Sequence, residues 1–346
     1  MNFKKIVRSM FATAIAGVEL DYKTCSIVVN FYKHGQLIKS QSKNFRTNPG
    51  ELPIQAVRYL QKIHTKNPFT YISTITHSLI QGALNSANEA DFKKFGVNSK
   101  EISYKRFDND WSVYISNEGI AETKQRFLRI GVDFAISPFL ILYNLAKETF
   151  QDSCKLYLLF QRSSLTMLIT KQNAGVLFGG YYTLESAIDS ELTIVKNTLS
   201  EDEDDIEKGN IEQDLQQELS GIEEVNISDT NDDNELIQVL KNENDNDDFV
   251  DNGDEKNDDL EDFSRVSTAA NFIQGALNEF YNNSLYASEF ISEIILFNAA
   301  EIAHETLGQI EQITMLDVQI KPCEISSVLA NLGYESYKFF EQKGQI

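Results

Sequence analysis

Apolar residues along this chain fall into short β-branched runs separated by amphipathic stretches, and the alternation occurs twice. Ala14 to Leu20 and Thr24 to Tyr32 are two such runs, split by the turn-like Asp21-Tyr22-Lys23, and His34-Gly35 leads into a third, Leu37 to Phe45. This predicts a three-stranded meander. In Glu51 to His64, Ala56, Val57, Leu60 and Ile63 recur at helical spacing, with Pro53 near the first turn. From about Pro68 to Arg106 the pattern is mixed: an apolar Tyr71–Ile75 run, a polar loop, and a predicted helix at Glu89–Phe95. Trp111 to Ser116 reads as a strand, Glu118 to Leu128 as an exposed helix, Ile130 to Ser137 as a strand, and Phe139 to Phe150 as a buried helix.

The second pass opens with Lys155 to Phe160 and Leu165 to Thr170, then the turn Lys171-Gln172-Asn173-Ala174-Gly175 and the return Val176 to Phe178. Gly179-Gly180 is expected to break this strand before a helix at Leu184–Thr198. Later elements are a helix over Ser267–Tyr286, a buried strand at Glu293–Phe297, a helix at Glu301–Gln309 and an edge strand at Met315–Ile320. A last helix runs over Ile325–Phe340, with an interruption expected at Asn331-Leu332-Gly333. Strands and helices alternating in two similar passes predict an α/β protein with two related halves.

Charge changes this picture in one place. Residues 201–262 hold 26 Asp+Glu and 3 Lys, a net of −23, whereas the rest of the chain holds 26 Asp+Glu and 28 Lys+Arg, a net of +2. The low isoelectric point therefore belongs to one segment, and the near-neutral remainder offers no basic field for nucleic acid. With few aromatics, many Asn and blocks of like charge, 201–262 is expected to be a disordered acidic insert. Two patches inside it, Ile206–Ile222 and Leu236–Leu240, are less acidic, the second resembling a short docking motif.

Cys25, Cys154 and Cys323 are widely separated and form no Cys-x-x-Cys, which fits reduced buried thiols in a cytoplasmic protein. No run approaches the length of a membrane span. Lys4, Lys5 and Arg8 ahead of a small-residue stretch mimic a signal peptide weakly, with too short an apolar region. Glycine-rich nucleotide loops, nucleophile elbows and His-Glu-x-x-His are all absent. His34, His64, His77 and His304 are isolated in sequence, and His304 beside Glu301 and Glu305 reads as a solvated helix face. No catalytic residue and no metal ligand is assigned.

Four stretches resemble the actin-like ATPase fold and, within it, the PilM/GspL-like branch of type IV pilus and type II secretion proteins. Ile15-Ala16-Gly17-Val18-Glu19-Leu20-Asp21-Tyr22-Lys23-Thr24 is similar to that family's first phosphate hairpin. Ile130 to Pro138 is similar to the strand and helix closing the first half, and Leu158 to Gly180 to the second phosphate hairpin with a Gly-Gly helix start. Ile294-Ile295-Leu296-Phe297-Asn298-Ala299-Ala300 lies where the family has its adenosine-site glycines. The resemblance implies an actin-like (ribonuclease-H-like) duplicated two-lobe fold. Its first lobe would be 12–150, with an accessory subdomain at about 68–128, and its second 151–200 with 263–346.

It also implies a nucleotide site, and there the chain departs from the family. Glycine in the phosphate hairpins lets backbone N–H groups approach phosphate, while hairpin carboxylates hold Mg²⁺ through water. Here Glu19 keeps an acid, but Asp21 stands at the glycine position. Leu159 and Gln161 replace the Asp and Gly of the second hairpin, and Asn298-Ala299 replaces Gly-Gly. The degenerate nucleotide-site positions are thus Glu19, Asp21, Thr24, Leu159, Gln161, Ser163, Gly179, Gly180, Asn298 and Ala299, and neither ATP nor Mg²⁺ is expected as a cofactor.

What the resemblance then implies is a non-catalytic cytoplasmic scaffold of a pilus, secretion or DNA-uptake machine. It would dock the cytoplasmic peptide of an inner-membrane partner and also the assembly ATPase, with indirect membrane contact at the inner membrane. Self-association stays open. So do two other classes: an active ATPase or sugar-kinase relative, and an acidic adaptor acting through 201–262.

Overall fold

The computed structural model describes residues 11–108, 110–184 and 255–344. All but the first turns of one helix belong to a single unit, Met1–Asp189 with Glu261–Ile346; from the other, Ser190–Leu260, only 255–260 are described. The sequence runs predict the meander well. Strands β1 (Thr13–Asp21), β2 (Thr24–Lys33) and β3 (Gln36–Arg46) are joined by tight turns, and helix α1 (Ile54–Lys66) buries Ala56, Val57, Leu60 and Ile63. Every residue of β1 is buried, as expected for a central strand covered on both faces, whereas β3 is an exposed edge.

The chain then crosses to β4 (Phe69–Ile75), which pairs parallel with β1. Between β4 and its parallel neighbour β8 (Phe134–Ile136) lies a separate three-stranded sheet. It comprises β5 (Gln81–Leu84), β6 (Ile102–Phe107) and β7 (Trp111–Ser116) in the order β5-β7-β6, followed by helix α2 (Asn117–Arg126). Of these strands only β7 is legible in the sequence, because β5 is four residues long and β6 is polar. The helix predicted at Glu89–Phe95 is a 3-10 helix, capped by the Asn88 side chain and ended by Gly96. The strand predicted over Ile130–Ser137 shortens because Gly131, at φ 78°, turns the chain ahead of it. Helix α3 (Pro138–Ala146) starts on a Ser137 cap with Pro138 at its first turn.

Strands β9 (Cys154–Phe160), β10 (Ser164–Thr170) and β11 (Val176–Thr183) repeat the meander. Gly179-Gly180 does not break β11; both glycines pair with β10, opposite Leu168 and Met167. The helix predicted at Leu184–Thr198 and most of the acidic tract lie outside the described residues. Helix α4 (Glu255–Asn282) begins twelve residues before the predicted start at Ser267 and so includes the last acids of that tract. Then come β12 (Ile291–Asn298), α5 (His304–Thr314), β13 (Val318–Pro322) and α6 (Ile325–Gln342). Met315, expected in a strand, is the left-handed cap of α5, and α6 runs through Gly333 without interruption.

The two large sheets have the strand orders β3-β2-β1-β4-β8 and β11-β10-β9-β12-β13. In each, three antiparallel strands are followed by two that pair parallel, and each first strand is central. This repeated order is the duplicated actin-like, ribonuclease-H-like fold. The sheets exchange their closing helices: α3 packs on β9 and β10, and α6 on β1, β2 and β4. One core cluster consequently joins Ile15, Ile75 and Phe139 with Leu159, Leu168, Phe297 and Leu329.

Candidate functional site

The duplication places the β1–β2 and β9–β10 turns at equivalent ends of their sheets, and the two turns meet. Tyr22 at the first tip has φ 53°, a left-handed backbone costly for an aromatic residue. It is held from two sides. Its hydroxyl donates to Glu261 Oε2 at 3.3 Å, and the Arg265 guanidinium lies over its ring at 4.6 Å. Thr24, expected at the nucleotide site, closes the turn itself by donating to the Asp21 carbonyl at 2.9 Å. Leu159 faces the core, two residues before the second tip, which is made by Gln161, Arg162, Ser163 and Ser164.

Across the gap, the Asp21 carboxylate accepts three hydrogen bonds from the second tip. Arg162 N–H donates to Oδ2 at 2.7 Å, and Ser163 N–H and hydroxyl donate to Oδ1 at 2.9 and 2.5 Å. Gln161 Nε2 donates to Glu19 Oε1 at 3.2 Å. Burial, then the charge of Asp21, pushes the Glu19 carboxyl well above the usual carboxylate range, although the Gln161 bond opposes this. The same burial, with Glu19 adding to it, raises Cys25 and Cys323 to about 12, so both thiols stay protonated.

Helix α4 covers this junction. Asp262 Oδ1 pairs with Arg162 at 3.1 Å and with Arg265 at 3.2 Å, while Glu261 Oε2 pairs with Arg265 at 3.1 Å. Arg265 is 1% exposed, so its desolvated charge depends on the partly exposed Glu261 and Asp262. Sequence reasoning missed it. Glu261 and Asp262 sit at the end of a long acidic run and carry no local mark that separates them from it.

At the third motif, Asn298 is spent on its own loop: Nδ2 donates to the Ile302 carbonyl at 2.8 Å and Oδ1 accepts from Ile302 N–H at 3.3 Å. The Ala299 and Ala300 amides donate to the Phe160 carbonyl. Gly179 and Gly180 lie in the middle of β11 rather than at a helix start, away from the two tips. A Cβ on Gly179 would lie 2.8 Å from Ala83 Cβ and 3.0 Å from the Ala83 carbonyl oxygen, so this glycine lets the three-stranded sheet pack on β11. Gly179→Ala is therefore expected to cost about 1–3 kcal/mol by overpacking. Amide exchange should quicken first in Gln81–Leu84, and unchanged protection there would refute this packing role.

The residues present do not suit a nucleotide with Mg²⁺. The backbone donors that would hold phosphate are engaged by Asp21, and an incoming phosphate would meet that carboxylate. A cleft of about 290 Å³ stays open beside the tips, lined by Tyr22, Gly50, His77, Arg126, Ser163 and Thr183 among others. Burial lowers the His77 pKa despite the nearby Asp21 charge, and its Nε2 has no hydrogen-bond partner among the described residues.

A family described as a domain of unknown function (DUF8569) matches residues 11–143, and one described as a domain of unknown function (DUF8341) matches residues 156–338. No curated protein matches the sequence. Among solved structures, the PilM-PilN type IV pilus biogenesis complex is similar with 11% identity and a TM-score of 0.49, over 91% of this chain and 89% of that one. The ethanolamine utilization protein EutJ from Carboxydothermus hydrogenoformans is similar with 8% identity and a TM-score of 0.42, over 93% and 88%. The activator of 2-hydroxyisocaproyl-CoA dehydratase from Clostridium difficile, with bound ADPNP, is similar with 11% identity and a TM-score of 0.37, over 96% of each chain.

Proposed function

The chain belongs to the family described as a domain of unknown function (DUF8341), and from the closed hairpin pair we propose that it is a non-catalytic actin-like scaffold of a pilus, secretion or DNA-uptake machine. In this reading it works in the cytoplasm at the inner membrane and docks the cytoplasmic segment of a membrane-anchored partner. The observation that supports it is the Asp21 carboxylate, which engages three donors of the second hairpin where a nucleotide scaffold would present them to phosphate. The motif order in the sequence supplies the choice of machine.

The open cleft is the proposed docking site. Arg126 puts a cation on its wall, suited to an acidic side chain of a docked segment. Among the described residues no helix is long and apolar enough to cross a membrane, so attachment there would come through the partner.

Ligand that binds only the native state raises the melting temperature, so millimolar ATP with Mg²⁺ should move it by less than about 1 °C. A rise of several degrees would overturn the scaffold reading in favour of an ATPase. The companion measurement is fractionation. The chain should reach the membrane pellet only when the partner machine is co-expressed, and pelleting without it would sink recruitment by a partner.

A further inference from the structure

The three donors that meet Asp21 form a built anion site. Arg162 and Ser163 supply successive backbone N–H groups, an arrangement that makes a concave nest for an anion, and the Ser163 hydroxyl adds a third donor on the same side. Asp21 is 5% exposed, so these bonds are screened from water and each is charge-assisted. The Arg162 guanidinium is not part of the nest, because it points to Asp262 at 3.1 Å. The charge of Asp21 is thus answered by main-chain dipoles and one hydroxyl. The nest belongs to one sheet and its occupant to the other, 141 residues away for Arg162, so the bonds tie the two hairpins together.

We propose that the Gln161–Ser164 turn is an oxyanion-binding nest whose resident ligand is the chain's own Asp21 carboxylate. The two hairpins are then closed without any diffusible ligand. Once the carboxylate is removed, their closure depends on a small tetrahedral oxyanion. Asp21 is a side-chain stand-in for such an anion, covalently supplied and therefore always present. This goes beyond the scaffold reading but shares with it the Asp21 contacts, whereas partner docking is tested separately by fractionation.

The test compares the full chain with Asp21→Gly, which empties the nest and leaves room in front of it. Inorganic phosphate is the probe, with chloride at matched ionic strength as control. The variant should melt below the wild type, and about 10 mM phosphate should recover part of the loss while leaving the wild type unmoved. A variant indifferent to phosphate, or a wild type that responds equally, overturns the proposal; neither result bears on partner docking. Should Asp21→Gly fail to fold, Asp21→Asn keeps the shape and weakens the acceptor. Its Arg162 and Ser163 amides should then exchange about tenfold faster than in the wild type. Unchanged exchange at those two amides refutes the nest.

Discussion

Replacing Gly17 by alanine should lower the melting temperature by roughly 10 °C or prevent folding, an effect larger than any expected from the candidate site. Gly17 lies in the middle of β1, which is buried throughout. A Cβ there would overlap the Ser326 carbonyl oxygen and lie 2.5 Å from the Ala330 nitrogen, both backbone atoms of helix α6. Backbone cannot rotate away as a side chain can. From the other side, a Cβ on Gly333 of α6 would come within 2.8 Å of Ser73 Cβ and 2.9 Å of Ile15 Cγ2, so the helix has no slack to shift into. Overpacking a core usually costs about 1–3 kcal/mol, and a main-chain clash should exceed that, at about 4 kcal/mol. Calorimetry on the variant decides the matter; a melting point within about 2 °C of the wild type would show that α6 is not seated as described.

The second large effect is one of pH. A carboxyl whose folded pKa lies above its unfolded value binds its proton more tightly in the native state. As pH rises through the unfolded value near 4, the unfolded chain releases that proton first, and stability falls until the folded pKa is reached. Glu19, raised by burial and by Asp21, is such a group. The Glu19 contribution to stability should therefore decline by about 1.4 kcal/mol per pH unit across that window. Glu19→Gln keeps an oxygen to accept from Gln161 and removes the titration. The variant should melt close to the wild type near pH 4 and several degrees above it near pH 8. A difference that does not change with pH would show that Glu19 is not held neutral by the fold.

Much of the architecture is legible before any coordinates. The β-branched runs around Asp21-Tyr22-Lys23, the helical spacing of Ala56, Val57, Leu60 and Ile63, and the repetition of strand and helix all report faces that must be buried, and the structure buries them. Motif order placed the hairpins, and Asp21 at a glycine position was visible as an obstacle to phosphate. What misled the sequence reading was local chemistry without context. Glycines at 179, 180 and 333 read as breaks, whereas each sits inside a regular element and makes room for a neighbour or pairs in register. The edge strands β5 and β6 are too short or too polar to show a period.

The amino-acid sequence by itself determined the succession of strands and helices, the net charge of −23 over 201–262, and the presence of an acid at residue 21. Those properties depend on neighbours a few positions apart. Only the tertiary structure decided what that acid does. Its partners Arg162 and Ser163 come from the other sheet, and the cluster of Glu261, Asp262 and Arg265 that covers the junction comes from a helix about a hundred residues further on. Periodicity records that a face is buried but not against which element. That is settled when the two sheets exchange their closing helices and bring both hairpin tips to one place.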